Sequence, residues 1–475
     1  MTDFFWQMTA CEVVDLLENK EIKPFELLDQ IQTRYHDINP IINAIPTSCF
    51  ERAFDIIKRH DEHDLNFNQP LFGLPIPLKD SFKLGGVRTT FGSLAFENFV
   101  PDSSDLIALQ LEDKGGVIFG KSNTPEFEAG ASTFNKVFGI TRNPWNTSKS
   151  VAGSSGGAAA AVASGIAFIA QGSDFACSIR FPAAFCGIVG LRPTPGLIPQ
   201  GPSRLPYQTL SVLGPLARNV SDVGLAMDAM VGYNFLDPLT TPIRKNNFRA
   251  AASRPKKPKK ISFSFDMGGA ALISKEVKDS LLKVASKLKQ ESIEVAFTCP
   301  DMADAAEIFR PLRAAYFSAL WSDVMAGSRN LLKPDVVWNI EQGLRLSLSD
   351  VAKAENMRST FRRRLLEFLD VHNFLVLPAA PVTANDALDT FVKEIDGVMM
   401  NDYLEWLTLG FAISLTGCPS ISIPCGFSDK QLPIGLQLVG KPHTERSLLR
   451  TAAWFEATLK QSITVPVTPV KGHKK

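Results

Sequence analysis

Four short apolar runs ended by glycine or proline recur between helix-like segments: LFGLPIPL from Leu71, GVIFGKSN from Gly116, AFIAQGSD from Ala167 and CGIVGLRP from Cys186. Runs of this length read as strands of a largely buried sheet, and their alternation with helices predicts βα units. The expected class is therefore α/β. Ahead of them, Val13, Val14, Leu16 and Leu17, then Leu27, Leu28 and Ile31, recur at helical spacing and predict a helical lead-in over residues 1–65. Residues 244–260, RKNNFRAAASRPKKPKK, are basic and carry two prolines, so an exposed connection is expected there. ISFSFDMGG then alternates like a strand, and VKDSLLKVASKLKQ places Val277, Leu281, Leu282, Val284 and Leu288 on one helical face. The strand pattern resumes at FLVLPAAPV and SISIPCGF, and SLLRTAAWFEATL reads as a closing helix.

Charge excludes several partners. Fifty Lys and Arg against 49 Asp and Glu leave +1, so no global field points to nucleic acid or an acidic membrane. The Ala-rich stretch Gly156 to Gln171 is shorter than the roughly 20 residues of a bilayer span and reads as core. Seven scattered cysteines without a CxxC pair, and an N-terminus without a basic region leading an apolar run, point to a reducing, cytoplasmic setting.

The chemistry is narrowed by elimination. The six histidines form no HxxxH pair with a glutamate, and His60 and His63 sit in a polar helix end and loop, so a metal site is not expected. AGSSGGAA is glycine-rich but lacks the lysine of a P-loop and the spacing of a dinucleotide fingerprint. No GxSxG elbow supports a Ser-His-Asp hydrolase. Lysine is the remaining candidate base, because a buried ammonium can lose its proton near neutral pH.

Three segments then converge: GLPIPLKD (73–80), AGSSGGAAAAVASG (152–165) and SDFACSIRFPAAFCGIVGLRPT (173–194) together resemble the amidase signature family of Ser-Ser-Lys hydrolases. GKSNTPEFEAG, RNPWN, VLGPLARNVSDVGLAMDAM, ISLTGCPSISIPCGF and PIGLQLVGKP follow in the family's order and extend the resemblance over most of the chain. It implies a single large α/β domain over 66–475, a mixed, mostly buried sheet wrapped by helices. The signature core is expected at about 70–200 and a helical, substrate-facing cover at about 244–370. Ser178 is implied as nucleophile, Ser154 as the bridging serine after a cis peptide bond, and Lys79 as general base; 178 − 154 = 24 residues agrees with the family pattern.

Backbone amides of Phe175, Ala176 and Cys177, with that of Ser178, are implied as the oxyanion hole. Ser155 is expected to hydrogen-bond Lys79, Asp174 to orient the nucleophile loop, and Arg180 to hold that loop through backbone carbonyls. Two departures stand out: Ala176-Cys177 occupies the place of a Gly-Gly pair, and Ala152 replaces a glycine of PGGSSGG. Small side chains matter there only if the loop needs positive φ or if a Cβ blocks the substrate. Cys177 itself is read as a buried thiol, not the nucleophile.

The activity implied is hydrolysis of a linear carboxamide to a carboxylate and ammonia or an amine, without cofactor. The expected partners are a small-molecule amide and, at most, a second copy of the chain. The alternatives are the glutamine-hydrolysing component of a tRNA-dependent amidotransferase, which works with partner subunits, and a non-catalytic scaffold of the same fold. Phe317, Trp321 and Trp406 are candidates for an apolar pocket, with core packing the expected fate of each.

Overall fold

Strand Leu375–Pro378 shows how the main sheet buries both faces. Successive strand side chains point to opposite sides: Leu375 and Leu377 join a core with Phe309, Phe361 and Phe411, whereas Val376 joins a second core with Ile421, Leu436 and Leu438. The computed structural model describes residues 4–62, 69–242, 247–459 and 466–472. It places eight strands in the order Glu294–Phe297, Lys260–Phe263, Leu375–Pro378, Pro433–Val439, Ser420–Phe427, Val189–Arg192, Val212–Ala217 and Ile169–Asp174. The first three are parallel and every later pairing is antiparallel, so the sheet is mixed. Helices Val220–Met230 and Glu445–Leu459 supply one core, and Ala305–Ser328, Leu348–His372 and Thr408–Thr416 the other.

A second, three-stranded sheet places the lysine. Val117–Ser122 lies between Thr47–Ser48, to which it is antiparallel, and Pro75–Lys79, to which it is parallel. Lys79 N donates to Gln171 Oε1 at 3.2 Å, laying the end of this sheet against the edge strand Ile169–Asp174. The lead-in helices Ala10–Glu18, Pro24–Ile42 and Phe50–Glu62 are stitched to the same body. Asp222 accepts hydrogen bonds from Ala10 N at 3.0 Å and Cys11 N at 2.9 Å, satisfying amides that a helix start leaves free. Arg34 donates to the Ser164 carbonyl at 2.8 Å.

Two local expectations need correction. The basic stretch 244–260 is not wholly an exposed connection, because Phe248–Ala252 is a helix whose Phe248 and Ala252 are buried. Asp228 accepts from Phe248 N at 2.6 Å, so one carboxylate caps the helix amid basic residues; residues 244–246 lie outside the described residues. In helix Lys275–Gln290, Val277, Leu281, Val284 and Leu288 are buried but Leu282 is 41% exposed. One residue is a 100° turn about the axis, so Leu282 leaves the face that Leu281 occupies. His63 and the side chain of His60 lie outside the described residues. Among the described residues, no helix is long and apolar enough to cross a membrane.

Candidate active site

Lys79 ends its strand with a fully buried side chain. Its Nζ lies 2.6 Å from Ser154 Oγ, 2.8 Å from Ser173 Oγ and 2.6 Å from Glu128 Oε1. Burial drives the amine below its ordinary pKa, while the charges of Glu128 and Asp174 pull it partly back. Glu128 shows the converse balance: burial pushes its carboxyl up, but Lys79, with Ser173, outweighs burial and leaves it below the usual carboxylate range.

Ser154 follows a cis peptide bond from Gly153, and the chain then enters helix Gly156–Ala163. The turn packs as closely as glycine allows: a Cβ on Gly157 would stand 2.3 Å from Asn123 N and 2.6 Å from Ala44 O. Ala152 holds a left-handed φ of 56°, so the alanine departure falls where glycine would sit without strain. Thr133 Oγ1 fixes that conformation by donating to the Ala152 carbonyl at 2.8 Å.

Ser178 joins the cluster through its main chain, its carbonyl accepting from Ser155 N at 3.0 Å. Among the described residues its hydroxyl has no hydrogen-bond partner, and no bond joins it to Ser154 Oγ. Ser155 Oγ does not reach Lys79; it bonds N and O of Ser173 at 3.3 Å each, because the helix start turns it toward the edge strand. The second hydroxyl on the amine is that of Ser173. Gln171 and Ser173 alternate on one face of a buried strand, a polar pair that could have marked this role in the sequence.

The Ala-Cys departure has a clear structural answer. None of residues 175–178 has positive φ, so the loop conformation tolerates a Cβ at each. Among the described residues, the N–H groups of Phe175, Ala176, Cys177 and Ser178 donate to no carbonyl or side chain, leaving them free for a ligand. Room for Cys177 comes from across the core: a Cβ on Gly410 would stand 2.4 Å from Cys177 Cβ and 2.6 Å from Ala176 O. Gly410→Ala is expected to displace the loop and slow labelling of Ser178 by a small fluorophosphonate by about 10²-fold. Cys177→Gly leaves that rate within about threefold, because the amides survive the change. Burial pushes the Cys177 thiol up, away from nucleophilic use.

Asp174 and Arg180 anchor the loop. Asp174 Oδ2 accepts from Ile179 N at 3.1 Å and Arg180 Nε at 3.1 Å, while Arg180 Nη2 donates to the carbonyls of Ala176 at 2.7 Å and Gly410 at 3.0 Å. Arg192, which the sequence did not single out, donates to both the carbonyl and carboxylate of Asp174.

Beside this loop lies a cavity of about 410 Å³ walled by Phe91, Phe96, Phe127, Tyr316 and Trp321, with Glu128 on its lining. The Tyr316 ring packs 4.8 Å from that of Phe175, so the wall abuts the loop. Trp321 therefore lines the cavity, whereas Phe317 and Trp406 are packed in cores. Helix Ala305–Ser328 contributes Tyr316, Leu320, Trp321 and Val324; the rest comes from residues 81–107, 127–128 and 200–213.

A family model described as Amidase matches residues 26–449. The chain is 31% identical to the A component of the Glutamyl-tRNA(Gln) amidotransferase of Persephonella marina (strain DSM 14350 / EX-H1), covering 95% of this chain and 97% of that protein. Among solved structures, the fold matches 6-aminohexanoate cyclic dimer hydrolase with a TM-score of 0.87 at 24% identity, over 98% of this chain and 100% of the other. It also matches the same amidotransferase component from Thermotoga maritima with a TM-score of 0.77 at 25% identity, over 99% and 100%. A full-length sequence match and a mixed α/β fold shared with these enzymes agree: the chain belongs to the amidase signature family of hydrolases.

Proposed function

We propose that the chain hydrolyses a carboxamide through an acyl-enzyme on Ser178, with Ser154 and Lys79 as proton relay. The observation that carries this reading is the fully buried Lys79 Nζ held 2.6 Å from Ser154 Oγ. In its neutral form the amine accepts a proton from Ser154 as Ser154 takes one from Ser178, whose oxygen attacks the carbonyl carbon. The oxyanion meets the free amides of residues 175–178, each such donor contributing about 3 kcal/mol. The proton returns by the same route to the departing nitrogen, and water then cleaves the ester. Hydrogen bonds of such relays often tighten only when substrate is bound, which fits the unpaired Ser178 hydroxyl.

The aromatic cavity supports a substrate with an apolar body. The seven free cysteines support a reducing compartment such as the cytoplasm. A second reading, the glutamine-hydrolysing component of an amidotransferase with partner chains, is favoured by the names of relatives 30–32% identical over 94–97% of the chain.

Ammonia release separates the two. Aryl or alkyl amides turned over faster than glutamine support the first reading; glutamine turned over faster, or only with copurifying partners, supports the second. Fluorophosphonate labelling of the folded wild type at Ser178 is expected in both, and its failure leaves the non-catalytic scaffold.

A further inference from the structure

Glu128 is the charged group at Lys79 that the relay does not use. It stands 2.6 Å from Nζ, its Oε1 also accepts from Ser173 Oγ at 2.6 Å, and a quarter of its side chain is open on the cavity it lines. The backbone is bent to put it there. Phe127 and Glu128 are consecutive non-glycine residues with left-handed φ of 46° and 61°, a conformation that persists only where the surroundings hold it. Glu126 does the holding: its carboxylate accepts from Ser93 Oγ at 2.5 Å and Lys333 N at 2.6 Å, pinning the loop on both sides.

We propose that Glu128 is a positioning residue that sets the protonation threshold of Lys79, its carboxylate opposing the loss of the lysine's proton. This rests on the reading of Lys79 as the base. A carboxylate in contact with an amine favours its charged form, and burial on the lysine side removes the solvent that would screen the pair. The other groups facing the pair do not replace it. Asp174 also favours the ammonium but is engaged by Arg180 and Arg192. Ser154 and Ser173 are neutral, as are the Ser81 hydroxyl and the Tyr316 phenol near Glu128. On the cavity wall Lys83 is paired with Asp105, and Arg204 with Asp323. Among the described residues, Glu128 is the carboxylate that both lines the aromatic cavity and contacts Lys79 Nζ.

The test titrates the lysine directly. In protein labelled with [13Cε]lysine, the Lys79 resonance is assigned by its loss in Lys79→Met. Glu128→Gln keeps the shape and removes the charge, so the Lys79 midpoint is expected to fall by at least about one pH unit, a tenfold change in the neutral fraction at a given pH. The acidic limb of the rate of Ser178 labelling moves down by the same amount, and Glu128→Asp, which keeps the charge, restores the wild-type midpoint in part. An unmoved midpoint in folded Glu128→Gln overturns the proposal, as does an equal fall in both variants, which indicates only a steric role. If wild-type Ser178 fails to label while the midpoint still shifts, the amidase reading falls and the assignment of Glu128 stands.

Discussion

Ser178→Ala is expected to abolish fluorophosphonate labelling of the folded protein, and Lys79→Met to slow it by about 10²- to 10⁴-fold, the range lost when a proton-transfer partner is removed. Methionine is chosen because it fills the fully buried lysine channel without charge. Lys79→Arg would keep a permanent cation where a base is needed. Ser154→Ala removes the hydroxyl to which Nζ donates at 2.6 Å, and a fall of about 10²- to 10⁴-fold is expected. On the proposed relay, in which the three act as one unit, the double variant Lys79→Met/Ser154→Ala is expected to be little slower than the worse single variant. Intact and peptide mass spectrometry measures each rate, with circular dichroism confirming the fold. Labelling of Lys79→Met at the wild-type rate would show that Ser178 is activated by something other than the lysine.

The strands were readable because each opens on a short apolar run buried on both faces and closes on polar or glycine residues; Val117–Ser122, Ile169–Asp174 and Val189–Arg192 fall inside the segments marked in the sequence. Leu282 was misplaced because a run of two leucines does not say which of them faces inward. Phe248 was hidden among Arg and Lys, since its burial comes from packing into the hydrophobic core, with its backbone N–H capped by Asp228 of the preceding helix. The lysine and two serines came from motifs whose order along the chain is itself informative. The remaining neighbours of the site did not, because no spacing rule connects them: Glu128 reaches Lys79 across 49 positions (128 − 79) through a left-handed turn, and Gly410 makes room for Cys177 across 233 (410 − 177). Such pairs exist only after the sheet is assembled, so a residue-by-residue reading of local pattern does not find them.

Asp174→Ala is expected to lower stability by about 3–5 kcal/mol, because it leaves two buried guanidiniums without their counter-charge. Asp174, Arg180 and Arg192 have fully buried side chains, and the carboxylate is 2.9 Å from Arg180 Nη2 and 3.3 Å from Arg192 Nη1. Burial alone pushes the Asp174 carboxyl up; the two arginines, with hydrogen bonds from Arg180 and Ile179 N, overcome this and hold it at about 2. A folded pKa below the unfolded value of about 3.9 means that the group contributes stability above the unfolded pKa and loses it as pH falls through the folded one. The contribution, on the order of 2–3 kcal/mol at neutral pH, is therefore lost from about pH 5 downward and is gone below about pH 2. Urea unfolding midpoints measured from pH 7 to pH 3 test both parts: the variant starts lower, and its decline between pH 5 and 3 is shallower than that of the wild type. Asp174→Asn separates charge from shape, since it retains an acceptor for Ile179 N but not the counter-charge. A loss in Asp174→Asn close to that in Asp174→Ala assigns the effect to charge. The same triad fixes the carbonyl of Ala176 through Arg180, so labelling of Ser178 should fall in both variants under conditions where they remain folded. The stability of the loop and the aim of its four free amides thus depend on one buried carboxylate, and parallel curves for wild type and Asp174→Ala across the acid range would refute that dependence.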